Sequence, residues 1–266
     1  MAANIQKTFL SLLSVRWNPG KDLAVVAGSW ILVVGALYTA TMIVGSAAGG
    51  GMPYFFLYAV LGATIFGLGI PLWWMIIVRK RKLADLGITM RWLGISLLIQ
   101  LALASFEIYA LLTGGNLPAF ERLLPLLALS LAIGFFEAVF WRGWVLMRLE
   151  EAFGFLPAAL IGSALYAAYH IGYSMPASEM VFLFFIGLMY AAAFRLTRSI
   201  FILWPVFQPA GQLITLIKDG LDLPVLASLG FFEVLIVMGV MVWLAGRYQK
   251  KSAQARKQES LVPSPR

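Results

Sequence analysis

Long apolar blocks separated by short polar breaks organise this chain. Eight blocks, at about 24–46, 53–78, 92–113, 123–148, 156–174, 180–195, 199–217 and 224–245, approach or exceed the ~20 residues that carry an α-helix across a ~30 Å hydrocarbon layer. Turn signals lie between them: Gly49-Gly50-Gly51, Gly114-Gly115-Asn116, Met175-Pro176 and Asp222-Leu223-Pro224. The pattern predicts an all-α fold, a polytopic transmembrane bundle of about eight spans over residues 24–245. Residues 1–23 read as a cytoplasmic or interfacial segment and 246–266 as a basic, disordered cytoplasmic tail. Within the first segment, Phe9 to Val15 is apolar and follows Lys7, faintly like a signal peptide. Arg16-Trp17-Asn18-Pro19-Gly20 stands where a small-residue cleavage site would fall, so a short interfacial helix stopped by a turn is expected there.

Composition agrees. Hydrophobic residues make up 61% of the 266 and charged residues 12%, with a mean hydropathy of +0.88. A soluble domain carries about 25% charged residues to cover its surface. Soluble enzymes, disordered chains and nucleic-acid readers are therefore excluded. With no cysteine there are no disulfides, thiolate ligands or thiol nucleophile.

The net charge of +8 has a topological explanation. Suppose the N-terminus is cytoplasmic. The inside segments then hold Lys7, Arg16 and Lys21; Arg79 to Lys82 and Arg91; Arg142 and Arg148; Arg195 and Arg198; and Arg247, Lys250, Lys251, Arg256, Lys257 and Arg266. That is 18 of the 20 basic residues, leaving Arg122 and Lys218 outside. Such a bias is the positive-inside rule, and it predicts both termini in the cytoplasm.

Ionisable groups in hydrocarbon are expensive and mark function by default. The intramembrane polar residues are Glu107, Glu137, Arg142, His170, Gln208, Gln212 and Glu233. Glu137 and His170, the only histidine, are equidistant from the loop around 150–156. Each lies about 13 residues from its edge, or ~20 Å along a helix, so in an antiparallel hairpin they share a depth. Gln208 and Gln212, four apart on one helix face, follow a loop centred near residue 197 by 11 and 15 residues and reach the same layer. Pro209 between them can loosen the backbone. Plainer readings stand beside these. The Glu–His pair can be an interhelical hydrogen bond, Arg142 a residue snorkelling to the cytoplasm, and the glutamines helix–helix glue. Glu107 and Glu233 lie nearer the outer ends of their spans.

The motifs resemble those of the CPBP family of intramembrane proteases, which includes Ras-converting CAAX endopeptidases and bacteriocin-processing or self-immunity proteins. Its pattern is Glu-Glu-x-x-x-Arg on one span, Phe-x-x-x-His on the next and His-x-x-x-Asn on a later one. Glu137-Ala138-Val139-Phe140-Trp141-Arg142 resembles the first, with Ala138 for the second Glu. Tyr166-Ala167-Ala168-Tyr169-His170 resembles the second, with Tyr166 for Phe. Arg198 to Pro205 resembles the approach to the last motif, where Gln208-Pro209-Ala210-Gly211-Gln212 replaces it. Asp85-Leu86-Gly87-Ile88 also resembles a family feature. The resemblance covers about residues 80–217.

It implies an intramembrane endopeptidase in which Glu137 and His170 activate a water, with Gln208 and Gln212 as oxyanion donors and Arg142 and Tyr166 in support. It also implies a multi-pass location in the cell membrane, the bacterial plasma membrane, with a peptide or membrane-protein substrate and the lipid bilayer as partners and no nucleic acid. Catalytic zinc wants three His, Cys or carboxylate ligands. One His and no Cys make a cofactor-free site the expectation, with Glu137 and His170 the first ligands should zinc be present. Two rivals remain open. One is a catalytically degenerate scaffold or bacteriocin-immunity partner, favoured by the replaced Glu, His and Asn. The other is a transporter using the Glu and His as a proton relay, although no inverted repeat is visible.

Overall fold

The computed structural model describes residues 14–44, 51–114 and 117–259. All regular structure among them is helical. Seven helices are long and apolar enough to cross a membrane: α1 (Lys21–Val44), α2 (Gly51–Val78), α3 (Leu93–Thr113), α4 (Phe120–Phe153), α5 (Phe155–Tyr173), α6 (Ala177–Thr197) and, after the shorter α7 (Phe207–Lys218), α8 (Ala227–Glu259). Helices suit a bilayer because they satisfy every backbone polar group internally. Ile31, Leu98, Phe106, Leu229 and Trp243 are exposed, as lipid-facing residues should be.

The helix α4 is the axis of the bundle. In its most apolar window 72% of residues are buried, against 11% for α8. Around it α1 packs on α2, α5 on α6, and α7 on both α3 and α4. Hydrogen bonding widens to i→i+5 over Phe55–Gly69 and Trp73–Val78 in α2 and over Ala138–Leu146 in α4, a distortion frequent at functional sites. A single residue, Gly154, joins α4 to α5 with φ of 89°, open to glycine without strain. A Cβ there would lie 2.0 Å from the Ser14 carbonyl oxygen, because the extended segment 14–20 crosses this turn. Arg16 and Asn18 donate backbone N–H bonds to Phe153 and Ala152 at 3.1 and 2.9 Å. Most of the interfacial helix expected near Phe9 to Val15 lies outside the described residues.

Three expectations need correction. The expected sixth span, 180–195, extends to the full 21 residues of α6. The basic stretch after 246, expected to be disordered, is helical as far as Glu259 in α8. The expected seventh span, 199–217, is not one long helix. It is a 3-10 turn at Ile200–Ile202 followed by α7, whose 12 residues reach only ~18 Å. The segment still runs the length of α4. Arg198 Nη2 bonds Glu150 Oε1 at 2.5 Å near one end of α4, and Arg122 Nε lies 3.7 Å from Asp222 Oδ1 near the other. The interruption is tolerable because the segment packs against α3 and α4, where neighbouring helices can meet the freed backbone groups.

Candidate active site

The break in this segment builds the site. A carboxamide on α3, Gln100, fully buried, accepts from the backbone N–H of Val206 at 3.0 Å and of Phe207 at 3.5 Å, satisfying donors that the first turn of α7 leaves free. Pro209 falls in that first turn, where its missing N–H costs nothing, so it starts the helix instead of loosening it. Opposite it on α4 stands Gly134. A Cβ there would come within 2.8 Å of Pro209 Cγ, so only glycine lets α7 press this closely. One turn further along α4 is Glu137.

Glu137 is 2% exposed. Its Oε2 accepts from Gln208 Nε2 at 2.6 Å, from Gln212 Nε2 at 3.0 Å and, at a longer 3.4 Å, from the Tyr166 hydroxyl. The common depth read from the sequence is therefore real for Glu137, Gln208 and Gln212. Each glutamine spends one amide N–H on the carboxylate and helps orient it, while each Nε2 carries a second hydrogen for another acceptor. Their Oε1 atoms are buried without a partner.

His170 ends the regular part of α5, where the helix tightens to a 3-10 turn over His170–Tyr173. No hydrogen bond or ion pair joins it to Glu137 among the described residues. Tyr166 links the two instead. Its ring packs edge-on to the imidazole at 5.1 Å between centroids, and its carbonyl lies 2.9 Å from His170 Nδ1. A carbonyl can only accept, so Nδ1 carries the proton in the neutral ring and Nε2 keeps a free lone pair.

Arg142 does not snorkel. It is 1% exposed, its guanidinium stacked over the rings of Tyr166 at 5.2 Å and Tyr190 at 5.6 Å, with Nη1 and Nη2 lacking hydrogen-bond partners. The widened turns that begin at Ala138 swing it back toward the Glu137 face of α4. Glu233 is exposed on α8, away from these groups. Among the buried atoms without partners are two guanidinium nitrogens of Arg142, the Oε1 atoms of Gln208 and Gln212, a Glu107 oxygen and the Trp141 indole nitrogen. Such atoms are costly unless water or a ligand meets them.

The Asp85-Leu86-Gly87 segment packs against α4 next to Arg142. A 3-10 turn at Leu83–Leu86 sets the Leu86 carbonyl against Gly143 of α4, where a Cβ would fall 2.0 Å from it. Gly87, with φ of 69°, accepts from Ile200 N–H at 2.9 Å, and Arg148 donates to the Asp85 carbonyl at 3.0 Å. Sequence reading missed Gln100 and Tyr190. The first could have been found as a lone carboxamide in the 21 apolar-rich residues of α3; the second is one of many aromatics and carried no signal.

Catalytic zinc wants three His, Cys or carboxylate ligands, and no group of three His, Cys, Asp or Glu suited to a metal occurs among the described residues; His170 Nε2 and Glu137 would be the first to hold one.

Residues 119–206 match the protein family described as Rce1-like, type II CAAX prenyl endopeptidase Rce1-like. The match covers about a third of the chain and contains Glu137, Arg142, Tyr166 and His170. Glu107 lies before it, and Gln208 and Gln212 just after it. No curated protein and no solved structure matches the chain.

Proposed function

We propose that this chain is an intramembrane endopeptidase of the CAAX-protease-like kind, hydrolysing a peptide bond with a water activated by Glu137 and His170. The observation that carries the reading is a buried carboxylate, held by two carboxamides and a phenol, beside an imidazole with a free lone pair. The similarity of residues 119–206 to an endopeptidase family supports it. Glu137, oriented by Gln208 and Gln212, takes a proton from water as it attacks the scissile carbonyl, while His170 Nε2 accepts from the same water and aligns it. The partnerless guanidinium of Arg142, held by two tyrosine faces in a site of low dielectric, offsets the charge that develops on the carbonyl oxygen. No step requires a metal.

A second reading has its own support. With both carboxamides donating to Glu137, the carboxylate is also satisfied as a structural hydrogen-bond acceptor, which suits a scaffold or immunity partner without hydrolysis. A cleavage assay on purified full-length protein with a peptide library decides between them. Hydrolysis by the wild type that is lost in Glu137→Gln supports the peptidase. Equal inactivity of both, with fold retained, sinks it in favour of the scaffold.

A further inference from the structure

Glu107 and the exposed Glu233 are ionisable groups of the span region that this mechanism leaves unused, and of the two only Glu107 packs against α7. By sequence it lies nearer the outer end of α3, at a depth that fits the site poorly. The structure removes that objection, because α7 packs along α3 and brings Gly211 to Glu107. A Cβ built on Gly211 would fall 3.0 Å from Glu107 Oε1, 3.6 Å from its Cδ and 3.5 Å from the Tyr190 hydroxyl. The carboxyl therefore occupies a notch that exists because residue 211 has no side chain. Gly211 follows Gln208 by three residues and precedes Gln212 by one, so the same two turns of α7 seat Glu107 and donate to Glu137. The other oxygen, Oε2, is buried without a hydrogen-bond partner, and no Lys or Arg forms an ion pair with Glu107 among the described residues. A carboxyl in such a place is held at least cost as the acid. On α4 the residue after Glu137 is Ala138, so a second acid in this layer has to come from another helix.

We infer that Glu107 is a catalytic carboxyl of the site and the acid that protonates the leaving amine, an inference that rests on the peptidase reading. The step balances. The water oxygen bonds to the carbonyl carbon and one water proton passes to the Glu137 carboxylate. The C–N bond then breaks, and the nitrogen lone pair takes the Glu107 proton. The products are a carboxyl terminus and a free amine. Glu137 is left protonated and Glu107 ionised, and proton exchange through solvent restores both.

The test compares leaving groups that need a proton with one that does not. Full-length protein is assayed on a peptide taken from a cleavage library and on the p-nitrophenyl ester of its acyl half, whose phenolate departs unprotonated. Glu107→Gln is expected to lower peptide turnover by about 10²-fold, the lower end for a lost general acid, and to leave the ester rate within a few-fold. Glu137→Gln, which removes the base, should abolish both. Equal losses on peptide and ester, or no loss on either, overturn the inference while the peptidase reading stands. Inactivity of the wild type on both substrates overturns the two together. Should Glu107→Gln not fold, Gly211→Ala keeps the carboxyl and displaces it, and the same peptide-to-ester split is expected; its absence overturns the inference.

Discussion

Substituting Gly134 by alanine tests how the site is held. The added Cβ would stand 2.8 Å from Pro209 Cγ and 3.1 Å from its Cδ. Carbons in contact sit at ~3.5–4 Å, so the proline ring must retreat by about 1 Å. That ring is bonded to the backbone of the first turn of α7 and has no far end to swing away. Gln208, the preceding residue, moves with it, and its 2.6 Å bond to Glu137 stretches beyond useful length. Misplacement by ~1 Å can cost ~10²-fold in rate. Stability should suffer much less: overpacking costs about 1–3 kcal/mol, and replacing a helical glycine by alanine returns about 1 kcal/mol. The expected signature is turnover reduced by ~10²-fold with net destabilisation of at most about 2 kcal/mol. Peptide turnover and thermal unfolding in detergent check it, with Gly35→Ala as control because nothing lies within 4 Å of a Cβ there. Wild-type turnover in Gly134→Ala would refute the view that the Gly134–Pro209 contact sets the Glu137–Gln208 geometry.

The two carboxamides should differ. Gln208, at 2.6 Å and buried, should lose about 10–10²-fold in turnover on conversion to alanine, in line with ~1.5–3 kcal/mol for a hydrogen bond to a charged group; Gln212, at 3.0 Å and less buried, should lose less, and the reverse order would contradict the assigned geometry. Reporter fusions should place residue 85 and both termini in the cytoplasm, as the 18-to-2 distribution of basic residues requires, and an external reporter at any of them would sink that topology. Purified protein should contain substoichiometric zinc and keep its turnover under moderate chelation; a stoichiometric ion lost together with activity would mean ligands beyond Glu137 and His170.

Length and polarity of the apolar blocks were enough to establish an all-helical membrane bundle, because lipid leaves the backbone few alternatives. The shared depth of Glu137, Gln208 and Gln212 was also legible, since depth along a helix is a matter of counting residues. The interruption within residues 199–217 was not. Residues 199–217 are apolar enough for a full helix, and only the enclosure of that segment by α3 and α4, with Gln100 meeting its backbone donors, makes an interruption tolerable. Counting likewise says nothing about rotation around a helix axis. The burial of Arg142 between two tyrosine rings depends on widened turns after Glu137, and the closeness of Glu107 to α7 depends on a glycine notch. Sequence by itself determined that Glu137, Gln208 and Gln212 share a depth, while the approach of Glu107 to α7 did not follow from counting. Which of them touch was decided by the tertiary structure, because side-chain contact depends on helix rotation and on the close approach that single glycines allow.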